Sequence, residues 1–287
     1  MDYYPFKKYV SSVEELEEII KRARNYRGLS APTELFRGQA RDGWQLKPSI
    51  APSFSNSGDV KKTEKAILKD FLTELQSQNI SNSIQSGYLN GSYHSEWLLI
   101  QQAQHYELPT RFMDWTGDWM VALFFAVSNR CEEEQKEDDR YNGQFWIFLV
   151  PEEIWISDGE PDDYINQDPF EYKETRVLNS STLHSQDYLI QIAKRRKSKQ
   201  KGRFCIQPYE DVMIPLEKQE RYIPYLHMVI IPAKLKKATR EHLEQLGMTW
   251  DSLYVNETLE EKEATEKVEI IVKLLKQKYF PTKKTCP

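Results

Sequence analysis

The chain has 287 residues, and its 39 Lys and Arg residues against 44 Asp and Glu residues give a net charge of -5. This length is sufficient for one large domain or two small ones with a substantial buried core. The net acidity argues against a protein that coats nucleic acid through general phosphate neutralisation, although local basic patches remain possible.

The cysteines and the apolar runs indicate where the protein works. The three cysteines are far apart, and none has a second Cys or a His at zinc spacing. An odd number of separated cysteines suits a reducing compartment better than a disulfide framework. The N-terminus has no signal pattern, and apolar runs such as residues 120–127 are too short to cross a bilayer. We therefore expect a cytoplasmic protein without a metal site or a membrane segment.

The first part of the chain alternates helical and extended patterns. Ser12 and Glu15 form a capping-box pattern, which predicts a helix that ends at about Tyr26. Residues 33–39, TELFRGQ, are typical of a strand. Residues 41–59 are rich in Pro, Gly, Ser and Asn, which indicates a loop, and loops of this length are commonly functional.

The remaining patterns define the fold class. Helical spacing recurs in several segments, whereas aromatic and β-branched residues mark others as strands. The predicted helices are 60–81, 96–106, 118–129, 233–247 and about 257–279; the predicted strands are 144–151, 203–208 and 225–232; the predicted loops are the charged segment 132–143 and the acidic segment 152–168. This order predicts an α+β fold with a small mixed β-sheet core flanked by N-terminal and C-terminal helices. We expect a single domain over residues 1–287, with a core at about 30–255 and a charged C-terminal helix in 256–287.

Three segments carry polar residues in patterns that packing alone does not require. They are FRGQ at 36–39, QAQHYELPTRFMDWTGDWMVALFFA at 102–126 and KQKGRF at 199–204. The first two resemble the signatures of the FRG domain family. The matching residues are Phe36-Arg37-Gly38, Gln104-His105, Pro109-Thr110-Arg111, Asp114-Trp115-Thr116 and Ala122 to Ala126.

The same residues are more remotely similar to the arginine-serine-glutamate class of ADP-ribosyltransferases. In that class one strand ends in Arg-Gly, and a later strand ends in a Ser/Thr motif before a helix of the form Ala-x-x-Phe-Ala. Arg37-Gly38 and Asp114-Trp115-Thr116 correspond to these motifs. The resemblance implies an ADP-ribosyltransferase-like sheet and NAD as the substrate. The NAD-binding residues that it implies are Arg37, Gly38, Gln39, Thr110, Arg111 and Trp115.

The chemistry of NAD agrees with these residue types. A pyrophosphate favours a planar bidentate cation, and therefore Arg over Lys, and a Gly beside it allows the backbone to approach the ligand. The transferase class also uses a late Glu to stabilise the oxocarbenium-like transition state. Gln200 stands at this place and cannot supply a negative charge, so Asp114 is a candidate for that role. We expect the candidate catalytic residues to line one cleft: Arg37, His105, Asp114, Thr116 and Gln200.

Two classes of function remain open. The resemblance implies an enzyme of bacterial defence or toxin systems that transfers ADP-ribose from NAD to a macromolecular acceptor, or that cleaves NAD. The alternative is a non-catalytic sensor module that binds a nucleotide or a protein. The Arg-Gly and Thr motifs favour the enzyme, whereas Gln200 favours the module.

Three features also have purely structural interpretations. Arg37 could form an ion pair with Asp114. His105 could be a hydrogen-bonded packing residue rather than a general base. The basic run Lys194 to Lys201 could be a solvated helix end or a contact for phosphate.

Overall fold

A computed structural model describes residues 7–25, 33–80, 93–155, 166–179, 192, 195–196, 198–254 and 257–281. These residues form a mixed α+β structure around one seven-stranded sheet. The α+β class and the mixed sheet that the sequence predicts are therefore confirmed, and the sheet is larger than expected. The organisation of residues 1–287 as a single domain stays a prediction.

The sheet combines neighbours in sequence with strands that are distant in the chain. Its strands are β1 (Lys7–Tyr9), β2 (Thr33–Gln39), β3 (Phe112–Thr116), β4 (Gly143–Val150), β5 (Arg176–Asn179), β6 (Gly202–Ile206) and β7 (Leu226–Ile231). Their order across the sheet is β1-β7-β4-β2-β3-β6-β5. β1 is parallel to β7, and the other neighbours are antiparallel.

Several helices begin after a residue whose side chain satisfies a free N–H group. The described helices are α1 (Val13–Asn25), α2 (Ser57–Ser77), α3 (Tyr93–His105), α4 (Trp119–Val127), α5 (Glu132–Asp138), α6 (Ala233–Gln245), α7 (Trp250–Leu253) and α8 (Leu259–Tyr279). Asn56, Asp118 and Thr258 cap α2, α4 and α8 through their side chains. None of the helices in the described ranges is both long and apolar enough to cross a membrane.

The prediction of a loop at 132–143 is wrong, because α5 occupies its first half. The glutamates of the first turn, Glu132 to Glu134, favour a helix N-terminus through the macrodipole. Gln135 accepts a hydrogen bond from the Asn129 N–H at 2.6 Å, and Asp138 accepts one from Arg41 at 2.6 Å. The polar side chains of α5 therefore make specific contacts that stabilise the helix.

The sequence patterns also did not predict β1 and β5. The predicted end of the first helix, at about Tyr26, lies outside the described residues.

Both faces of the sheet are covered, and all eight positions of the central strand β4 are buried. On part of one face, α2, α3 and α8 surround a core that includes Trp97, Phe112 and Phe204. The rest of that face packs against α1, α4 and α6. The opposite face is covered largely by short segments and holds Trp115, Trp146 and Phe148, among others.

Helix α4 lies unusually close to the sheet. A Cβ atom on Gly38 would stand 1.8 Å from the Ala122 carbonyl oxygen and 2.6 Å from the Ala126 nitrogen. A Cβ on Gly143 would stand 2.4 Å from the Ala126 carbonyl oxygen. Glycine on two neighbouring strands and alanine on the helix therefore allow the two backbones to touch.

Strands β2 and β3 are joined at only one point. β2 pairs with β4 at every position from Thr33 to Gln39, but with β3 only through Phe36 and Thr116. Past this pair the two strands no longer form a ladder. The residues that follow Phe36 and those that precede Thr116 border a cavity.

Candidate functional site

The cavity beside β2 and β3 has a volume of about 510 Å³, within the range of small-molecule sites. We call it the Arg37 cavity. The end of α3, the first turns of α4 and residues 250–254 complete its wall. Its lining includes the five residues that the sequence predicts to share a cleft: Arg37, His105, Asp114, Thr116 and Gln200. The catalytic roles of these residues stay predictions.

Arg37 has more hydrogen-bond donors than the protein uses. Its Nη1 donates to the main-chain carbonyl of Asp114, and its buried Nε has no partner among the described residues. Burial lowers the pKa of Arg37, and the nearby Asp114 and Cys205 oppose this shift. Arg37 thus contacts the main-chain carbonyl of Asp114, and the charge of Asp114 also acts on it. A guanidinium has five N–H donors, so most of its capacity remains available.

Two polar residues hold the carboxylate of Asp114. Gln104 donates from Nε2 to Asp114 Oδ2 at 2.5 Å. The hydroxyl of Thr110 donates to Gln104 Oε1 at 2.7 Å and accepts the Phe112 N–H at 3.1 Å. Because Thr110 occupies the amide oxygen, it orients the amide nitrogen towards Asp114. The Gln-His and Pro-Thr-Arg motifs therefore converge on one carboxylate in the cavity.

Thr116 connects two loops at the rim of the cavity. Its hydroxyl donates to the main-chain carbonyl of Gln200 at 2.6 Å and accepts the Asp118 N–H at 2.9 Å. The side-chain amide of Gln200 donates to the Leu253 carbonyl at 3.4 Å. Both residues therefore fix the cavity wall, in addition to lining it.

His105 and Gln39 line the cavity and are almost completely buried. The His105 ring packs edge-on against Tyr106, with centroids 4.9 Å apart. Gln39 accepts a hydrogen bond from Trp146 Nε1 at 3.0 Å. The position of His105 is compatible with both interpretations that the sequence leaves open.

Arg111 does not line the Arg37 cavity, so the structure corrects its predicted contact with NAD. Its Nε donates to Glu64 at 3.1 Å, and its other two nitrogens donate to the Gln207 and Pro169 carbonyls. Its guanidinium carbon lies 3.9 Å from the centroid of the Tyr209 ring. The guanidinium is buried and its three nitrogens are all engaged, which leaves Arg111 no route to a ligand.

Three further NAD-binding predictions are corrected in part. Thr110 is fully buried and acts through Gln104. Trp115 borders the cavity, but its ring packs 5.3 Å from Phe148 in the core of the opposite face, which favours a structural role. Gly38 lines the cavity, but the space that it leaves is occupied by the backbone of α4.

The cavity also has cationic residues that the sequence patterns did not single out. Arg130 and Arg196 line it together with Tyr254. Arg196 lies within the basic run 194–201, which was the available signal, whereas nothing in the sequence marked Arg130 or Tyr254. In the part of the chain that the structure describes, no cluster of three or more His, Cys, Asp or Glu residues could hold a metal ion.

The fold and the cavity define an α+β protein with a cavity of small-molecule size, bordered by an arginine that has unused donors among the described residues. Residues 33–135 match the family model of the FRG domain. The match contains Arg37, His105, Asp114 and Thr116 but ends before Gln200. No curated protein and no solved structure matches the chain.

Proposed function

We propose that the Arg37 cavity binds NAD and that the protein uses NAD as a substrate, either to transfer ADP-ribose to a macromolecular acceptor or to cleave NAD. The unused donors of Arg37 carry this proposal. Arg37 is half-buried and makes one hydrogen bond among the described residues, so it keeps donors that a bidentate anion such as a pyrophosphate oxygen pair would satisfy.

Asp114 supports the catalytic part of the proposal. When the bond between the ribose and nicotinamide breaks, its electron pair leaves with nicotinamide and positive charge develops on the ribose. A carboxylate that is already oriented stabilises this charge without reorganisation. Gln104 and Thr110 hold the Asp114 carboxylate in one orientation. Water or an acceptor group then forms the new bond to the ribose and loses a proton.

We extend the proposal to the fold and the biological setting. The strand with Arg37-Gly38 lies beside the strand with Asp114-Trp115-Thr116, and α4 follows directly. This arrangement supports an ADP-ribosyltransferase-like sheet. The resemblance associates such domains with bacterial defence and toxin systems, and we propose that setting for this protein.

A second candidate function is a non-catalytic module that binds the nucleotide as a signal. Gln200 favours it, because an amide stands where the transferase class places a carboxylate. Thr116 also favours it, because its hydroxyl is engaged with the Gln200 carbonyl and the Asp118 N–H. Both functions require that the nucleotide binds. Only the enzyme converts it to products.

Thermal unfolding with NAD tests whether the ligand binds. NAD at a hundred times its dissociation constant should add about 2.7 kcal/mol of stability, or roughly 5–10 °C in melting temperature for a chain of this size. Arg37→Lys keeps the charge but loses the bidentate fork, so most of this rise should vanish at the same NAD concentration. Arg22→Lys is the control, because Arg22 is exposed on α1. Absence of a shift in the wild type would exclude the nucleotide.

Release of nicotinamide separates the two functions. The wild type should release nicotinamide from NAD, and Asp114→Asn should reduce the rate at least about a hundredfold while the NAD-induced thermal shift persists. Gln200→Glu restores the carboxylate of the transferase pattern and should maintain or raise the rate. A wild type that shifts with NAD but releases no nicotinamide would favour the module.

A further inference from the structure

Two arginines from different parts of the chain share one aromatic ring at the mouth of the Arg37 cavity. The guanidinium carbon of Arg196 lies 4.0 Å from the centroid of the Tyr254 ring, and that of Arg130 lies 4.8 Å from it. Arg196 also donates to the Tyr254 hydroxyl at 2.7 Å. The ring therefore attracts two like charges to one place, and an anion between or beside them would offset their mutual repulsion.

Neither arginine is paired with a carboxylate among the described residues. Their neighbours in sequence and space behave differently. Arg195 pairs with Glu261 at 2.6 Å, and Arg240 forms a bidentate pair with Asp139 at 2.7 Å. Arg130 and Arg196 thus keep donors for an external anion, in a molecule whose net charge is negative.

The pair lies where two spaces meet. Arg130, Arg196 and Tyr254 line the Arg37 cavity, and they also line a wider groove of about 1350 Å³ that runs along α8. We call this second space the outer groove. A ligand that extends from the Arg37 cavity into the outer groove would therefore contact the two arginines.

We propose that Arg130, Arg196 and the Tyr254 hydroxyl form a subsite for a phosphomonoester group carried by the ligand of the Arg37 cavity. This inference rests on the proposed binding of a nucleotide and specifies its class: a dinucleotide with a phosphate in addition to its pyrophosphate, as in NADP. Two guanidinium groups and one hydroxyl supply several donors to the three terminal oxygens of such a phosphate.

The charges of the outer groove favour a single phosphate over a nucleic-acid backbone. Its lining contains five Lys and Arg residues, Arg130, Arg196, Lys262, Lys273 and Lys276, and five acidic residues, Glu107, Glu134, Asp251, Glu257 and Glu269. Nucleic-acid binding depends on the number of phosphates that cations neutralise. A groove of balanced charge lacks this property, whereas two arginines meet on one ring at its junction with the cavity.

The first test compares two dinucleotides by calorimetry on the full chain. The wild type should bind NADP about tenfold or more tightly than NAD, since charge-assisted hydrogen bonds contribute at this level. Arg130→Gln and Arg196→Gln should each weaken NADP binding more than NAD binding and so bring the affinity ratio towards one. Arg195→Gln is the matched control, because it removes the same charge one residue away and should preserve the ratio.

The second test detects the subsite without a dinucleotide. Inorganic phosphate at constant ionic strength should show protein-induced broadening of its phosphorus NMR signal, and the broadening should fall in Arg130→Gln and Arg196→Gln but persist in Arg195→Gln. If phosphate binds in this way and neither dinucleotide does, the subsite is supported and the proposed NAD function fails. If NAD binds but NADP has no advantage and phosphate does not broaden, the subsite is overturned. Salt-dependent binding of a single-stranded oligonucleotide that requires the same arginines would also overturn it in favour of a polyanion.

Discussion

Two arginines of the FRG motifs, Arg37 and Arg111, have opposite environments. Arg111 is fully buried, and its guanidinium is bound by Glu64, two carbonyls and the ring of Tyr209. Arg37 makes one hydrogen bond among the described residues and borders a cavity. Both arginines belong to the sequence motifs, which do not distinguish them. In the structure, Arg111 stabilises the fold, whereas Arg37 has unused donors among the described residues.

The difference shows how burial can be read together with hydrogen bonding. A buried cation whose three nitrogens are all engaged, such as Arg111, stabilises its surroundings only as long as every partner remains. A half-buried cation that keeps free donors among the described residues, such as Arg37, adds little to stability and is retained where a ligand can satisfy it. The same residue type therefore indicates structure at Arg111 and a candidate binding site at Arg37.

The largest expected effect separates the two arginines by stability. Arg111→Met leaves the Glu64 carboxylate buried without its cation and should lower the free energy of unfolding by about 3–5 kcal/mol. Arg37→Met removes a cation with few partners and should change it by less than about 1 kcal/mol, or raise it. Urea denaturation of both variants measures the contrast.

A matched double variant controls this comparison. Glu64→Gln combined with Arg111→Met removes the uncompensated charge and should recover part of the loss. Equal losses in Arg37→Met and Arg111→Met would show that Arg37 is also a structural residue, and the contrast between the two regions would not hold.

Tyr209 contributes a hydrogen bond to the buried Arg111–Glu64 pair. Its hydroxyl donates to Glu64 at 2.5 Å, so Tyr209→Phe should lower the free energy of unfolding by about 1.5–3 kcal/mol at pH 7. Burial, followed by the charge of Glu64, raises the pKa of Tyr209 well above its usual value. The folded state therefore holds the phenolic proton more tightly than the unfolded state. The contribution of Tyr209 is complete below the unfolded pKa of about 10 and declines as the pH rises above it.

The measurement is urea denaturation of the wild type and Tyr209→Phe at neutral pH and above pH 10. The difference between the two proteins should shrink at the higher pH. Tyr141→Phe is the control, because the Tyr141 hydroxyl contacts Glu137 at the surface and its loss should have little effect. A difference that is independent of pH would contradict the raised pKa.

The sequence predicted the residues of the cavity better than their roles. Arg37, His105, Asp114, Thr116 and Gln200 all line it, because β2 and β3 separate beyond one residue pair and the end of α3 and the segment before β6 adjoin that gap. The position of Arg111 outside the cavity was not foreseen, because it depends on Glu64 and Gln207, which are remote in sequence and carry no local pattern. Arg130 and Tyr254 were missed for the same reason.

The fold was predicted where local patterns are strong. β2 was predicted at its observed bounds, and the α4, α6 and α8 predictions agree to within a few residues. β1 is only three residues long and is stabilised by pairing with the distant β7, which local periodicity cannot show. α5 was not predicted because it has many charged residues and no apolar periodicity. It is stabilised instead by its helix dipole and by the contacts of the buried Asp138.

Gly38 tests whether the strand of Arg37 has a structural role as well. Gly38→Ala places a Cβ against the backbone of α4 and should lower the free energy of unfolding by about 1–3 kcal/mol or more. Gly117→Ala is the control, because its Cβ would meet other atoms only at 3.8 Å and beyond. Thermal or urea unfolding measures both variants. Equal stability of the two would show that α4 can move away from β2 at no cost.

The smallest expected effect on stability, but the sharpest for the site, is at Thr110. Thr110→Val keeps the shape of the side chain and removes the hydroxyl that binds Gln104 and the Phe112 N–H. We expect a loss of about 1 kcal/mol in the free energy of unfolding. We also expect the rate of nicotinamide release at saturating NAD to fall about tenfold or more with little change in KM, because Gln104 no longer fixes the Asp114 carboxylate. Thr110→Ser restores the hydroxyl and should restore the rate. If Thr110→Val lowers stability but leaves the rate of nicotinamide release unchanged, the hydrogen-bond chain from Thr110 to Asp114 stabilises the fold, as Arg111 does, and does not contribute to the reaction.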